Sequence, residues 1–337
     1  MDVPDYALPE SAVAQQPIEP RDAARLLDAT DVTGPAVHRT VHDLPDVLGA
    51  GDVVVVNTTR VLPARLQLVK ASGGAAEVLL LQPDPGSAGA AWEALVRPGR
   101  RLPPGTVLAA RTNGARVVEV GERLDGGRRR VRLLADATEV FAACGSVALP
   151  PYIREPLADP ERYQTVYADQ AGSVAAPTAG LHLTPEVLAR CRGRGAEVCG
   201  LDLAVGLATF RPLGDGPVED HVMHRERYRV PEETMDACRR AERVLAVGTT
   251  TVRALETAAL TGALEGDSEL FIRPGFQFAV VDILMTNFHL PRSSLLVLLE
   301  AFCGPRWRSL YREALVAGYR FLSFGDAMLV ARSAVPG

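Results

Sequence analysis

Lysine is almost missing from this 337-residue chain: Lys70 is the single one among 36 lysines and arginines. It lies in a polar stretch before Ser72-Gly73-Gly74, so a lysine-base or Schiff-base mechanism has one poorly placed candidate. Cationic contacts to phosphate or carboxylate must otherwise come from arginine, helix ends or histidine. Cysteine is sparse too. Cys144, Cys191, Cys199, Cys238 and Cys303 are scattered, form no CxxC pair and are odd in number, which argues against a disulfide framework or a thiolate metal site. Neither GxGxxG after a strand nor GxxxxGK[ST] occurs, and GxSxG and HExxH are absent. Dinucleotide, P-loop, hydrolase-elbow and zincin readings therefore lack support. Apolar runs are broken well before the ~18 residues of a membrane span, so no membrane association is expected. The acidic start Met1-Asp2-Val3-Pro4-Asp5 leads us to expect no signal peptide. A cytoplasmic enzyme of one or two domains is the expectation for a chain that is 47% hydrophobic and 23% charged.

The organisation changes twice along the chain. Residues 1–63 carry the run Val53–Val56, four β-branched residues ending at Asn57-Thr58-Thr59-Arg60, as in a buried strand with polar groups at its carboxyl end. From 64 to 150 short alternating runs follow: Ala64–Val69, Glu77–Leu81, Trp92–Val96, Val107–Ala110, Val117–Val120 and Arg130–Leu134. Turn signals such as Asn113-Gly114 separate them, and the pattern predicts a small β-barrel or sandwich. Between Arg97 and Arg132 ten arginines face only Glu119, Glu122 and Asp125, in a chain of net charge −5. Such clustering suits a solvated face or a nucleic-acid footprint. From 151 to 337 the texture is α/β. Helices are expected at Pro185–Arg192, Pro231–Arg243, Val252–Leu260 and Ser293–Cys303, with strands at Glu197–Leu203, Val244–Val247 and Val280–Met285. The fold class is thus α/β, a large mixed domain (1–63 plus 151–337) interrupted by an inserted β domain (64–150).

Four of the six histidines fall in polar, Gly- or Pro-containing segments. His289, in Thr286-Asn287-Phe288-His289-Leu290-Pro291, is the strongest candidate for proton transfer. His182 ends Ala176-Pro177-Thr178-Ala179-Gly180-Leu181-His182, and it could equally be a histidine that pins its loop. His221 and His224 follow Asp220, three residues apart. A metal reading would recruit these two with Asp220 and His182 or His289, but there is no recognisable spacing for a third ligand, and no metal is expected. Arg60, Arg65 and Arg253 read as anion clamps, with Glu256 one turn on as the partner of Arg253. Gly248-Thr249-Thr250-Thr251 between a strand and a helix offers free amides to a carboxylate, or a plain threonine N-cap. The spatial expectation is that His182, His221 and His289 converge on one cleft.

Together these loops resemble a known family. Asn57-Thr58-Thr59-Arg60-Val61-Leu62-Pro63-Ala64-Arg65 is similar to one signature, and Tyr163–Tyr167 with Gly172–His182 to another. Glu219–His224, Gly248–Glu256, Thr286–Pro291 and Phe324–Met328 add four more. These motifs resemble the S-adenosylmethionine:tRNA ribosyltransferase-isomerase family of queuosine biosynthesis. The resemblance implies an α/β domain interrupted by a β-barrel. It also implies transfer and isomerisation of the ribosyl part of S-adenosylmethionine onto the 7-aminomethyl-7-deazaguanine base of tRNA, giving epoxyqueuosine-tRNA, adenine and methionine. S-adenosylmethionine is then a substrate, and no cofactor is expected. The implied partners are that molecule and tRNA or other nucleic acid through the Arg-rich insert, with the chain a monomer. His289 and His182 would transfer protons, with His221, His224 and Asp220 as second choices. Asn57, Thr59, Arg60, Arg65, Tyr167, Pro177, Thr178, Gly180, Thr249, Thr250, Arg253, Glu256, Asn287 and Asp326 would hold substrate. The chain departs from the pattern at Thr58 (Asn in the family), and at Ala204, Leu207 and Ala208 within Leu203–Phe210, where Ala204 replaces a histidine. These changes leave open a different acceptor, or a non-catalytic RNA-binding relative.

Overall fold

The structure, a computed structural model, describes residues 3–84, 86–87, 89–206, 213, 218, 221, 223 and 225–333. The chain divides into two compact units, one made of 1–60, 150–170 and 176–337, the other of 61–149 and 171–175.

The larger unit is built on a nine-stranded mixed sheet. Its middle consists of four parallel strands in the order Glu197–Leu203, Asp52–Asn57, Arg243–Val247 and Ile283–Asn287. Asp52–Asn57 is buried along its whole length, which is why Val53–Val56 is continuously apolar rather than alternating. Ala327–Ala331 runs antiparallel to Ile283–Asn287, and Arg25–Ala29 and Val37–Thr40 complete that side. Helices cover the sheet, and Leu26, Val54, Leu188, Leu245, Met285 and Leu329 are among the buried residues of one core cluster. In an open α/β sheet the carboxyl ends of parallel strands are where ligands bind. Here those ends are Leu203, Asn57, Val247 and Asn287, three of which open directly into motifs singled out above.

The smaller unit is a six-stranded antiparallel barrel. Arg65–Lys70, Ala75–Pro83, Ala91–Arg97, Arg129–Leu133, Arg116–Arg123 and Thr106–Ala110 pair in that order, and the last closes on the first. Leu66, Leu68, Val78, Leu80, Val118, Val120, Val131 and Leu133 alternate into its core.

Several elements differ from expectation. The helix expected to run to Arg243 spans Glu232–Arg240, because Arg243 begins the next strand, where its guanidinium pairs with buried Asp52 at 2.6 Å. The strand expected at Val280 begins at Ile283, because the amides of Ala279, Val280 and Val281 turn onto the Glu256 carboxylate instead. A helix at Trp307–Val316, a strand at Glu226–Arg229 and an edge strand at Glu265–Ser268 were not foreseen.

Candidate active site

A cleft opens at the carboxyl ends of the parallel strands, where an open α/β sheet places its ligands. Three strand ends and two loops supply its walls: Val205, Gly248–Thr250, Thr286–Leu290, Ala176–Ala179, and Leu322-Ser323 with Tyr152. The helix Thr249–Thr261 starts at the cleft. Its N-cap is Gly248, at φ 91°, a backbone conformation that glycine adopts without the Cβ penalty. Gly248 brings no side-chain cap, so among the described residues the first amides at the positive end of the dipole have no N-cap side chain on them.

His289 lines the cleft and is 7% exposed. Its main chain is clamped from two sides, the amide donating to Tyr311 Oη at 2.8 Å and the carbonyl accepting from Tyr6 Oη at 2.5 Å. Phe288 beside it stacks on Phe321 at 4.6 Å, so an aromatic cluster fixes the turn. Nε2 of His289 lies 3.0 Å from Thr286 Oγ1, and among the described residues Nδ1 has no hydrogen-bond partner. Burial alone pushes its pKa down to about 3, so the ring is neutral at ordinary pH.

His182 sits behind the cleft, not in it. It lines a small separate cavity with Arg21, Arg162 and Phe324. Asn287 stands between the two: its Oδ1 accepts from Thr178 Oγ1 at 2.8 Å, and its Nδ2 donates to His182 Nε2 at 3.1 Å and to the Asp326 carbonyl at 3.3 Å. An amide donor at Nε2 occupies that lone pair, and the His182 pKa is pushed down to about 3 by burial and then by Arg320, Arg162 and Arg21. His221 stacks edge-on against Phe271 at 5.4 Å and is not among the residues lining the cleft. The expected convergence of three histidines is therefore corrected to one histidine in the cleft and one behind it. Asp220, His224, Leu207 and Ala208 lie outside the described residues.

Other expected site residues sort by what they touch. Pro177, Thr178, Thr249, Thr250 and Asn287 line the cleft. Asn57 accepts from the Leu203 amide at 3.1 Å and donates to its carbonyl at 3.0 Å, which fixes where the chain turns toward Val205, and its Nδ2 also reaches Thr250 Oγ1 at 3.4 Å. Thr59 Oγ1 donates to the Gln170 carbonyl at 3.5 Å. Gly180 gives way to Tyr167: a Cβ there would fall 2.0 Å from the Tyr167 hydroxyl. Asp326 turns its carboxylate to the amides of Arg25 (3.0 Å) and Arg320 (2.8 Å). Arg60 forms an ion pair with Glu161 at 2.8 Å. Arg65 belongs to the barrel unit, where it faces Glu77 at 3.8 Å.

The expected Arg253–Glu256 pair is not made. Arg253 is buried against Glu226, which also accepts from the Gly206 amide at 3.0 Å, while Glu256 binds the three amides described above. A buried pair of this kind holds the Val205–Gly206 segment rather than offering a free guanidinium. Among the departures, Thr58 donates to the Leu201 carbonyl at 3.0 Å and Ala204 donates its amide to the Arg227 carbonyl at 2.9 Å, both outside the cleft lining.

Sequence reasoning missed Tyr152 and Ser323, whose hydroxyls meet at 2.7 Å on the cleft wall, and the role of Thr286 beside His289. The Thr-x-x-His spacing of Thr286 and His289 was a visible signal. Nothing local marks the Tyr152–Ser323 pair, since 171 residues separate its members.

Comparison with known proteins decides the family. A family model described as "Queuosine biosynthesis protein" matches residues 2–330. This chain belongs to the queuosine biosynthesis protein family. Among the family's members, the S-adenosylmethionine:tRNA ribosyltransferase-isomerase of Rubrobacter xylanophilus is 51% identical, covering 97% of this chain and 96% of that one. The protein of the same name from Thermus thermophilus is 50% identical, over 97% of this chain and 98% of its own. A solved S-adenosylmethionine tRNA ribosyltransferase from Thermotoga maritima matches with a TM-score of 0.55 and 34% identity, covering 98% and 100% of the two chains. Among the described residues no helix is long and apolar enough to cross a membrane.

Proposed function

We propose that this chain transfers and isomerises the ribosyl moiety of S-adenosylmethionine onto the 7-aminomethyl-7-deazaguanine base of tRNA, releasing adenine and methionine. Full-length similarity to enzymes bearing the ribosyltransferase-isomerase name carries this reading. The cleft supports it with a neutral, main-chain-clamped His289 in the same cleft as a helix start whose N-cap is Gly248.

The roles follow from chemistry. A sulfonium acidifies the neighbouring C5′–H, so the first demand is for a base. Burial leaves His289 neutral with no imidazolium proton to give, so its open role is that of base, and a pKa of about 3 makes it a weak one in the free protein. With Nε2–H donating to Thr286 Oγ1, the Nδ1 lone pair takes the C5′ proton. The amides of Thr249 and Thr250 seat the methionine carboxylate at the helix start. Tyr152 and Ser323 supply hydroxyls to the ribose or to the departing adenine, where a hydrogen bond stabilises developing negative charge. Asn287, Thr178 and His182 form the brace that holds the Pro177 loop against the strand end. No metal or cofactor has a role in this scheme. RNA engages the Arg-rich barrel, and the protein works as a cytoplasmic monomer.

The test is incubation with S-adenosylmethionine and precursor-modified tRNA while adenine and methionine are followed. Release that depends on tRNA is expected. Release without tRNA would overturn the acceptor and favour a diverged S-adenosylmethionine-cleaving enzyme, and no release with retained tRNA affinity would leave only an RNA-binding protein.

A further inference from the structure

Resting on the reading of the barrel as the RNA-binding part, the structure narrows which part of it can bind. Four of the ten arginines from Arg97 to Arg132 are spent inside the unit. Arg128 pairs with Glu93 at 2.6 Å, Arg130 with Asp84 at 2.8 Å and with Glu122, and Arg132 with Glu119. Arg129 is buried and donates to the carbonyls of Gly121 at 2.8 Å and Gly99 at 3.3 Å. Arg97, Arg100, Arg101, Arg111, Arg116 and Arg123 are exposed and have no ion pair among the described residues.

Strand register sorts these six. Arg97 ends its strand opposite Glu77, near the start of Ala75–Pro83, and Arg123 ends its strand opposite Arg129, the first residue of Arg129–Leu133. Arg100 and Arg101 lie in the turn Gly99–Arg101 that follows Arg97. All four therefore sit at one end of the barrel, where Lys70 also ends its strand. Arg111 and Arg116 flank the hairpin at the opposite end. Carboxylates at the first end are mostly committed, Glu77 to Arg65 and Glu122 to Arg130, which leaves Asp125. Buried Arg129 ties the Gly99 turn to Gly121, two residues before Arg123, and so holds two separate parts of the cluster in one arrangement.

We propose that this end of the barrel, presenting Lys70, Arg97, Arg100, Arg101 and Arg123, docks the phosphate backbone of the RNA substrate. Five cations at one end of the barrel, on alternate strands and in the turn that follows Arg97, offer a set of phosphate contacts, and such contacts are read through counterion release rather than base identity. Arg129 is a positioning residue that holds the cluster without touching RNA.

The test compares Arg97→Gln/Arg100→Gln/Arg101→Gln/Arg123→Gln with Arg111→Gln/Arg116→Gln in the full chain. Precursor-modified tRNA binding is measured by fluorescence anisotropy across a salt series, and adenine release at saturating tRNA. Each lost phosphate contact lowers the slope of log affinity against log salt by about 0.7–0.9. The fourfold variant should therefore lose about three units of slope and bind more than tenfold weaker at low salt, with adenine release restored at saturating tRNA. The Arg111/Arg116 variant should keep the wild-type slope and affinity. Unchanged binding in the fourfold variant, or an equal loss in the other, overturns the proposal. Should the fourfold variant fail to fold, Arg101→Glu and Arg123→Glu taken singly carry the same comparison. A wild type that binds tRNA through this end yet releases no adenine would defeat the proposed reaction and leave the docking surface standing.

Discussion

His289 and His182 sit on either side of Asn287, both buried, both neutral, both in motifs of the same family. Their partners separate them. His182 has its Nε2 lone pair taken by the Asn287 amide and lines a cavity walled by arginines, whereas His289 keeps Nδ1 unclaimed among the described residues and lines the cleft. A histidine's burial and lowered pKa thus say little about its job; the open nitrogen and what it faces say more. The comparison also explains why so many motif residues sit away from the cleft. Asn57, Asp326, Glu256 and Arg253 spend their polar groups on backbone amides and carbonyls or on a buried partner, holding the turns that the cleft residues ride on.

The largest expected effect falls on the open side. His289→Ala should lower adenine release by about 10²–10⁴-fold, the range for a lost general base. Single-turnover assays on protein whose melting behaviour is checked in parallel would decide it. Activity within tenfold of wild type would remove His289 from proton transfer and erase the contrast with His182.

On the closed side the expected effects are on stability. Gly180→Ala places a Cβ 2.0 Å from the Tyr167 hydroxyl, so the tyrosine must move or the loop must lift. Overpacking of this kind costs about 1–3 kcal/mol. Urea denaturation should show that loss, and Tyr167→Ala in the same chain should recover part of it. Without recovery, the clash is not what fixes the Pro177–His182 loop.

Much of this arrangement was legible in the sequence because the governing signals are local. Val53–Val56 announced a buried strand, alternation announced the barrel strands, and Gly248 announced a strand-to-helix turn. The strands Glu226–Arg229 and Glu265–Ser268 were not legible, since Glu-Arg-Tyr-Arg and Glu-Gly-Asp-Ser carry little apolar alternation. The helix Trp307–Val316 could have been read, as Trp307, Leu310, Tyr311 and Ala314 recur at helical spacing. Within the site, the motif position of His289 was readable but the commitments of Arg253 and Asp326 were not. Those depend on Glu226, 27 residues away, and on the Arg25 amide, 301 residues away.

Acid treats the two histidines alike, which offers a check on their shared neutrality. Each has a folded pKa of about 3 against an ordinary value of 6.5. The unfolded chain then binds protons first, so stability is unaffected above pH 6.5 and is lost progressively as pH falls from there toward 3. At pH 5 the loss is about 2 kcal/mol per histidine, from about 1.4 kcal/mol per pH unit. His182→Asn should therefore show a smaller drop between urea melts at pH 7.5 and pH 5 than wild type, by about that amount. An identical drop would mean that His182 is protonated in the folded protein.

The smallest expected effect probes the link itself. Thr178→Val keeps the shape of the side chain but removes the hydroxyl that donates to Asn287 Oδ1 at 2.8 Å. The loop would then be held to the strand end by the Asn287–His182 bond and by its packing, and one net hydrogen bond is worth about 1 kcal/mol. Because Thr178 lines the cleft while its partner also reaches His182, the substitution acts on both sides of Asn287 at once. A loop that relaxes into the cleft should raise the KM for S-adenosylmethionine several-fold while kcat stays within about twofold, since His289 is clamped independently by Tyr6 and Tyr311. A fall in kcat with KM unchanged would instead show that the brace and the base form one unit, and that the division between a closed and an open histidine is too sharp.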